Sequence, residues 1–272
     1  MTPKSILGNA ICLSLSLFAI GCSEDDTNKK EVITTDCVLT TVHRDSKTPN
    51  VITTLTLRDA NGADKLRYLE KGTDAVIQEI KFKYNSAGQP IERKTFGPDQ
   101  KLLSTTTITY WENGKIKQET TQQHVDDLHN NTNNKQISSF DDKGNITEYK
   151  NLNANDEIMN HLIYTNTYEG NLLTKSVRDD QKFTFDGYSV YTYDNGLNTT
   201  IVQRNTKDEL TNKIVKEYDA SSYLISLKNY SDGVTLGASE IYVRNENGVL
   251  LETQMFTAST LEVVHTYGYS CE

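Results

Sequence analysis

The chain has 272 residues, of which 36% are hydrophobic and 24% are charged, and its mean hydropathy is −0.59. This composition is too polar for a thick apolar core, whereas 15 Tyr and 7 Phe are too many for a disordered chain. A net charge of −9 argues against nucleic-acid binding, which requires a surplus of Lys and Arg.

The first 21 residues have the pattern of a secretory signal. Lys4 gives a positive start, and the apolar stretch 6–20 is shorter than the ~20 residues that a membrane-spanning helix needs. The stretch ends in Leu17-Phe18-Ala19-Ile20-Gly21-Cys22, which resembles the lipobox of bacterial lipoproteins. The resemblance implies that Cys22 is diacylated and becomes the first mature residue. The alternative is an ordinary secretory signal in which the Cys is incidental.

The segment after Cys22 is abruptly acidic. It begins Ser23-Glu24-Asp25-Asp26, which is similar to the surface-export signal of some Gram-negative lipoproteins, although a solvated linker has the same composition. We expect residues 22–35 to be the lipidated Cys and a polar tether that attaches the protein to the outer membrane of the cell envelope. Exposure on the cell surface and exposure to the periplasm are both left open.

A 26-residue repeat organises the remaining domain, residues 36–272. Each repeat has a turn-like segment ending in glycine, and a second polar break follows about eleven residues later. Two strands of eight or nine residues and two turns account for this length. Seven of the 15 glycines lie on this register, at intervals of 26 residues or twice that except for one interval of 30: Gly62, Gly88, Gly114, Gly144, Gly170, Gly196 and Gly248.

Alternation within the segments predicts strands. Ile80, Phe82 and Tyr84 fall on one face, with Lys81 and Lys83 on the other. We predict an all-β, antiparallel meander of about 16–18 strands that closes into a large soluble β-barrel. With strands ~4.8 Å apart and tilted ~40°, its diameter would be on the order of 34 Å, which leaves a lumen. An open single-layer sheet and a β-solenoid are the alternatives.

The recurring Tyr-Asp-x-x-Gly-x-Leu pattern, seen for example at Tyr193-Asp194-Asn195-Gly196, resembles the YD (Rhs-type) repeats of bacterial surface and secreted proteins. The resemblance covers residues 50–258 and implies a continuous, curling antiparallel sheet of hairpins. A lipid anchor joined to such repeats is also similar to small bacterial lipoproteins with a porin-like soluble β-barrel. Neither resemblance implies an activity, because YD repeats serve as shells and scaffolds.

Two of the four cysteines remain once the N-terminal segment is assigned. Cys12 lies in the signal and Cys22 is the lipidation site, which leaves Cys37 and Cys271 at the start of the first strand and the end of the last. An exported protein folds in an oxidising compartment, so we expect these two to form a disulfide. An even number of antiparallel strands would place them at the same rim, and an odd number would separate them.

The sequence offers little chemistry. The one dense group of ligand-type residues is His124-Val125-Asp126-Asp127-Leu128-His129, in the repeat that carries an insertion, and a long loop seldom provides three or four converging ligands. We expect no metal, no cofactor and no catalytic residue, and therefore no enzyme. Trp111, Tyr110 and Tyr84 are the candidate ligand contacts, and a role in packing the wall is the alternative.

These observations predict a lipid-anchored envelope protein that acts as a non-catalytic binding or interaction module. Its expected partners are the membrane, through the lipid, and a surface glycan or protein, but not a nucleic acid. The alternative function is capture of a glycan, peptide or lipid in the lumen of the barrel. An enzyme that uses rim loops is a third and weaker possibility.

Overall fold

The computed structural model shows only β-structure in the residues that it describes. No helix in this part of the chain has the length and apolar character needed to cross a membrane. Side chains are described for residues 75–124, 134–183 and 186–268, and the signal, the tether and His129 lie outside the described residues. The described residues are 37–46, 52–59, 62–70, 75–124, 134–183 and 186–271.

The described residues form eighteen strands in one antiparallel sheet, in which each strand pairs with the next along the chain. The predicted all-β antiparallel meander is therefore confirmed, and pairing in parallel, as in a β-solenoid, is not observed. The strands are β1 (Cys37–Ser46), β2 (Ile52–Asp59), β3 (Gly62–Glu70), β4 (Val76–Tyr84), β5 (Pro90–Phe96), β6 (Leu102–Tyr110), β7 (Ile116–Gln123), β8 (Lys135–Phe140), β9 (Ile146–Leu152), β10 (Ile158–Glu169), β11 (Leu172–Asp180), β12 (Gly187–Asp194), β13 (Leu197–Asn205), β14 (Leu210–Tyr218), β15 (Leu224–Tyr230), β16 (Leu236–Arg244), β17 (Leu250–Thr257) and β18 (Thr260–Cys271).

Strands β4 to β18 form one continuous run, and the backbones of β1, β2 and β3 connect its two ends. β1 pairs with β2 and also with β18, so each strand has two antiparallel neighbours. β1 and β18 pair over nine positions, and Cys37 lies directly opposite Cys271 in this register. The even number of strands thus brings both cysteine positions to the same rim of the sheet.

The turns have one recurring geometry, and that of Asn85 is representative. The Gly88 N–H donates to the Asn85 carbonyl at 3.0 Å, while Asn85 Oδ1 accepts from the N–H groups of Ala87 (3.0 Å) and Gln89 (2.9 Å). Gly88 has a φ of 76°, which glycine adopts without steric cost. Asn85 and Gly88 therefore supply the local chemistry of a hairpin turn.

Two rims result from this pattern. The turns at 85–88, 111–114, 141–144, 219–222 and 245–248 belong to the glycine rim, which also carries Cys37 and Cys271. The turns at 97–100, 153–156, 205–208 and 230–233 belong to the opposite, distal rim. β7 ends and β8 begins at the distal rim, and the inserted residues between them, which include His129, lie outside the described residues.

The wall of the sheet is thin. On β10 the side chains of Tyr164, Asn166 and Tyr168 are half-buried, while those of Ile163, Thr165 and Thr167, which alternate with them, are exposed. We call the first set the inner face and the second the outer face, and the strand register continues both around the sheet. Among the residues with described side chains, the buried apolar set is small: Ile80, Ile108 and Leu173. The inner face is therefore not a dry core, in agreement with the polar composition.

Candidate functional site

Two of the three predicted ligand contacts lie together. Tyr110 and Trp111 line an open groove of about 520 Å³ on the outer face, just below the glycine rim. Thr109 on β6, Gln118 on β7 and Ser139 on β8 are direct neighbours in the strand register and form its floor. The other lining residues are Lys117, Phe140 and Thr147.

Trp111 stands where other turns have a hydrogen-bonding side chain. It occupies the first position of its turn, since the Gly114 N–H donates to its carbonyl at 3.0 Å; Asn85 and Asp141 hold this position in the neighbouring turns. The lost side-chain acceptor is partly replaced by Asn113, whose Oδ1 accepts from the Lys115 N–H at 3.0 Å. An indole in a turn position that favours Asn or Asp departs from the local rule, and such departures concentrate at functional sites.

The indole of Trp111 is held in place by its neighbours. Its Nε1–H donates to the carbonyl of Phe140, at the end of β8, at 3.1 Å. The Lys117 ammonium lies 4.7 Å from the centre of the ring, within the range of a cation–π contact. The ring is thus oriented across two hairpins, and its position depends on the register between β6, β7 and β8.

Tyr110 also has a structural role, which is shared by other repeat tyrosines. Its hydroxyl donates to the Pro90 carbonyl at 2.7 Å, and Tyr193 and Tyr218 make the same contact with Leu173 (3.0 Å) and Asn198 (2.9 Å). Each acceptor lies 20 residues before its tyrosine, so the contact recurs with the repeat. Burial, followed by the nearby Glu119 charge, raises the pKa of Tyr110, which keeps it a neutral donor.

Tyr84, the third predicted contact, lies away from the groove. It is at the end of β4, where its ring stacks against that of Phe82 with centroids 6.2 Å apart. Both rings belong to the inner face, on which Ile80 is buried. The structure therefore separates Tyr84 from Tyr110 and Trp111.

A polar network joins two turns near Tyr168. The Tyr168 hydroxyl donates to Asp141 and accepts from Asn145 Nδ2 at 3.0 Å, and the Lys143 ammonium lies 4.0 Å from the centre of the Tyr168 ring. Burial and the hydrogen bond to Asp141 raise the pKa of Tyr168 strongly. The sequence analysis did not identify this network, because Tyr168 on β10 lies more than 20 residues from the turn that carries its other members.

The inner face is lined by amides as well as tyrosines. Asn151 and Asn160 are opposite each other on β9 and β10. Their Oδ1 atoms, together with those of Asn166 and Asn212, are buried and have no hydrogen-bond partner. Buried polar atoms normally find partners, so these oxygens mark the inner face as a polar wall with acceptors that are not used within the sheet, although Asn166 and Asn212 donate through Nδ2.

The titratable side chains outside the groove form small pairs. On the outer face, Glu148 is 2.6 Å from Lys150 Nζ and 2.9 Å from His161 Nε2, and the Lys150 hydrogen bond is the main cause of a lowered Glu148 pKa. His124 Nε2 lies 3.1 Å from Thr105 Oγ1. In the described ranges, no three His, Cys, Asp or Glu side chains are grouped to hold a metal ion.

For Cys37 and Cys271, the structure describes the position of the backbone only. Cys37 and Cys271 are register partners at the seam between β1 and β18. Their side chains are outside the described set, as is the whole of Cys22, so the disulfide and the lipidation stay predictions from the sequence.

Comparison with known proteins gives similarities of fold alone. No protein-family model matches the chain, and no curated protein matches it. Among solved structures, the chain is similar to a porin-like protein from Bacteroides uniformis, with 9% identity, a TM-score of 0.42, and coverage of 85% of this chain and 98% of that one. A porin-like protein from Bacteroides vulgatus has 12% identity, the same coverages and a TM-score of 0.28. The Photorhabdus luminescens Tc holotoxin pore has 12% identity and a TM-score of 0.26 over 79% of this chain and 14% of that one.

Proposed function

We propose that the protein is a lipid-anchored protein of the bacterial outer membrane whose β-sheet domain binds a ligand without transforming it. The observation that carries the proposal is Trp111, a fixed indole that replaces the usual turn residue and opens onto a groove of neutral polar side chains. Aromatic rings with a few oriented polar groups are the common composition of ligand sites.

Binding fits the described residues better than catalysis. The side chains with strongly shifted pKa values are engaged in wall and turn contacts, as Tyr168 is with Asp141 and Tyr242 is with Glu240. These tyrosines are held neutral by burial and by a carboxylate acceptor, and they lie away from the groove. Their hydrogen bonds stabilise the sheet rather than prepare a base or a nucleophile.

The proposed tether leaves the groove accessible. The first strand starts at the glycine rim, so the chain between the lipid and the domain leads from that rim. Residues 22–36 are about 15 in number and span at most about 50 Å when extended. A tether of this length lets the domain turn away from the lipid surface, and a net charge of −9 opposes its adsorption to anionic lipid.

Fatty-acid labelling tests the anchor. Cells that express the full chain are grown with an alkyne-tagged fatty acid, and incorporation is compared between the wild type, Cys22→Ala and Cys12→Ala. We expect label on the wild type and on Cys12→Ala, whose altered residue lies in the signal, and none on Cys22→Ala. Label that persists on Cys22→Ala would overturn the lipid anchor and leave the binding proposal intact.

Fluorescence tests binding directly, since Trp111 is the single tryptophan of the chain. The full-length protein in detergent micelles is titrated with three probes of different chemistry: cellohexaose, decaproline and a water-soluble short-chain phosphatidylethanolamine. We expect one probe to shift the Trp111 emission in a saturable way. If none of the three does so, the proposed use of the groove is wrong.

A second candidate, capture of a ligand along the inner face, is favoured by the partnerless amides of Asn151 and Asn160. A ligand there would leave the Trp111 emission unchanged. It would be detected by calorimetry with the same probes, and its binding would persist in Trp111→Ala.

A further inference from the structure

We infer that the groove at Trp111 takes a neutral oligosaccharide. The inference rests on the proposed binding function and adds the chemical class of the ligand. It is carried by the identity of the side chains that line the groove and by the way in which the indole is held.

The lining combines one flat aromatic surface with uncharged polar groups. Thr109, Gln118, Ser139 and Thr147 contribute hydroxyls and an amide, and the described lining residues include no carboxylate. Lys117 is the one charged residue among them, and its ammonium lies over the Trp111 ring. The lining therefore offers both donors and acceptors, with Lys117 as its single charge.

This composition matches a sugar ring. A pyranose has a C–H face that stacks on an aromatic ring, here by taking the place of the Lys117 ammonium over the indole, and hydroxyls around its edge that both donate and accept. An anionic ligand such as a phosphate would require converging Arg or Lys side chains, and a metal ion would require carboxylates. The overall charge of −9 further disfavours an acidic polymer.

The groove is prepared for such a ligand before binding. The Trp111 Nε1–H is engaged with the Phe140 carbonyl at 3.1 Å, so the ring does not have to be ordered when the ligand arrives. Gln118 and Ser139 contact each other at 3.4 Å, a long hydrogen bond that is readily exchanged for bonds to ligand hydroxyls. Gln118 and Thr109 are both exposed on the outer face.

The test is a calorimetric and fluorimetric titration of the full-length protein in detergent micelles with cellohexaose and maltoheptaose, alongside decaproline. We expect at least one oligosaccharide to bind and shift the Trp111 emission, and decaproline to have no effect. Gln118→Ala should weaken oligosaccharide binding about tenfold by calorimetry, because a ligand hydroxyl loses its amide partner. Thr109→Ala should weaken it about threefold, since only one hydroxyl is removed.

Thr165→Ala is the matched control, because Thr165 is an exposed outer-face threonine on β10, away from the groove. It should bind as the wild type does. Trp111→Ala should abolish binding, and its far-UV circular dichroism shows whether the sheet is retained; if it is lost, the Gln118→Ala and Thr109→Ala titrations decide.

The outcomes separate the ligand class from the function. If decaproline shifts the Trp111 emission and neither oligosaccharide does, the ligand class is wrong while the binding function stands. If an oligosaccharide binds equally well to the wild type, Gln118→Ala and Thr109→Ala, the site is misplaced. If no probe binds, both proposals fail.

Discussion

The two rims of the sheet have the same turn geometry but differ in the residue that adopts a positive φ in each turn. At the glycine rim, the residue with positive φ is glycine in most of these turns, as at Gly88 and Gly144, although Ser222 takes the position with a φ of 68°. At the distal rim the same position is mostly taken by other residues, namely Gln100, Asp156 and Asp208, with φ values of 62°, 61° and 66°, whereas Gly233 takes it in one turn. The hydrogen bonds that close these turns are equally short, since the Asp156 N–H donates to Asn153 at 3.0 Å. The comparison teaches that the backbone, rather than glycine, defines the repeat.

The glycine rim has a set of contacts between successive turns. Gln89 Nε2 donates to the Gly114 carbonyl at 3.1 Å, and Lys115 Nζ donates to the Lys143 carbonyl at 3.0 Å. Lys143 Nζ in turn donates to the Gly170 carbonyl at 2.7 Å. These bonds connect hairpins that are not directly joined by a turn, as the contacts of Lys135 with Asp156 and of Tyr188 with Asp208 do at the distal rim.

The largest change in the free energy of unfolding is expected from reducing the predicted disulfide between β1 and β18, at the glycine rim. A disulfide between Cys37 and Cys271, which are register partners, would close a loop of about 230 residues and contribute about 5 kcal/mol to the free energy of unfolding in the chain-entropy model. Urea denaturation of the exported protein with and without dithiothreitol measures this difference. Cys37→Ser is the control, since its stability should not respond to the reductant. Intact mass showing two free thiols would contradict the prediction.

The next largest loss in the free energy of unfolding is expected for Gly187→Ala, beside the distal rim. A Cβ at this position would lie 2.4 Å from the Arg204 carbonyl of the paired strand, so Gly187→Ala must displace backbone. We expect a loss of about 2 kcal/mol in the free energy of unfolding. Gly237→Ala is the matched control near the same rim, because its nearest atom would be Ser231 Oγ at 3.4 Å. Equal stability of the two variants would show that the β12–β13 pairing is looser than described.

The rim comparison itself is tested by exchanging the turn residues. A Cβ at Gly88 would meet no atom within 4 Å, so Gly88→Ala isolates the cost of its positive φ, about 1 kcal/mol. Gln100→Gly at the distal rim should have the opposite sign, with a gain of about 0.5 kcal/mol. Thermal unfolding of both variants measures the two changes. Loss of stability in both would mean that the side chain of Gln100 contributes more than its backbone strain costs.

The regular parts of the molecule are predictable from the sequence because they rest on local chemistry. Asn85 followed by Gly88 specifies a turn, and alternation from Ile80 to Tyr84 specifies a strand, without any knowledge of distant residues. The even strand number then places Cys37 opposite Cys271. The lumen was predicted from size and composition, and the inner face of Tyr and Asn agrees with a wall that is not a dry core.

The groove was only partly predictable. Trp111 could be selected because it is the single tryptophan and departs from the turn pattern, but its contact with Phe140 spans 29 residues and depends on the register of three strands. The same dependence on strand register explains why the sequence pattern groups Tyr84 with Tyr110. The two tyrosines have the same place in their repeats, but Tyr84 does not line the groove. Residue type alone does not distinguish the two, since the difference lies in the neighbouring hairpin.

The smallest expected effect concerns one distal turn, in which Asp232 accepts hydrogen bonds from Thr235 Oγ1 at 2.7 Å and from the Val234 N–H at 2.9 Å. The bonds from Thr235, backbone first and then side chain, lower the pKa of Asp232 to about 2. Because the folded-state pKa lies below the unfolded value, the stabilisation is complete above pH ~4 and is lost as the pH falls towards 2. Titration by NMR should show the pKa rising towards its ordinary value in Thr235→Val, which keeps the backbone donor and removes the hydroxyl. An unchanged pKa would mean that the hydrogen bonds from the backbone N–H groups alone set the pKa of Asp232.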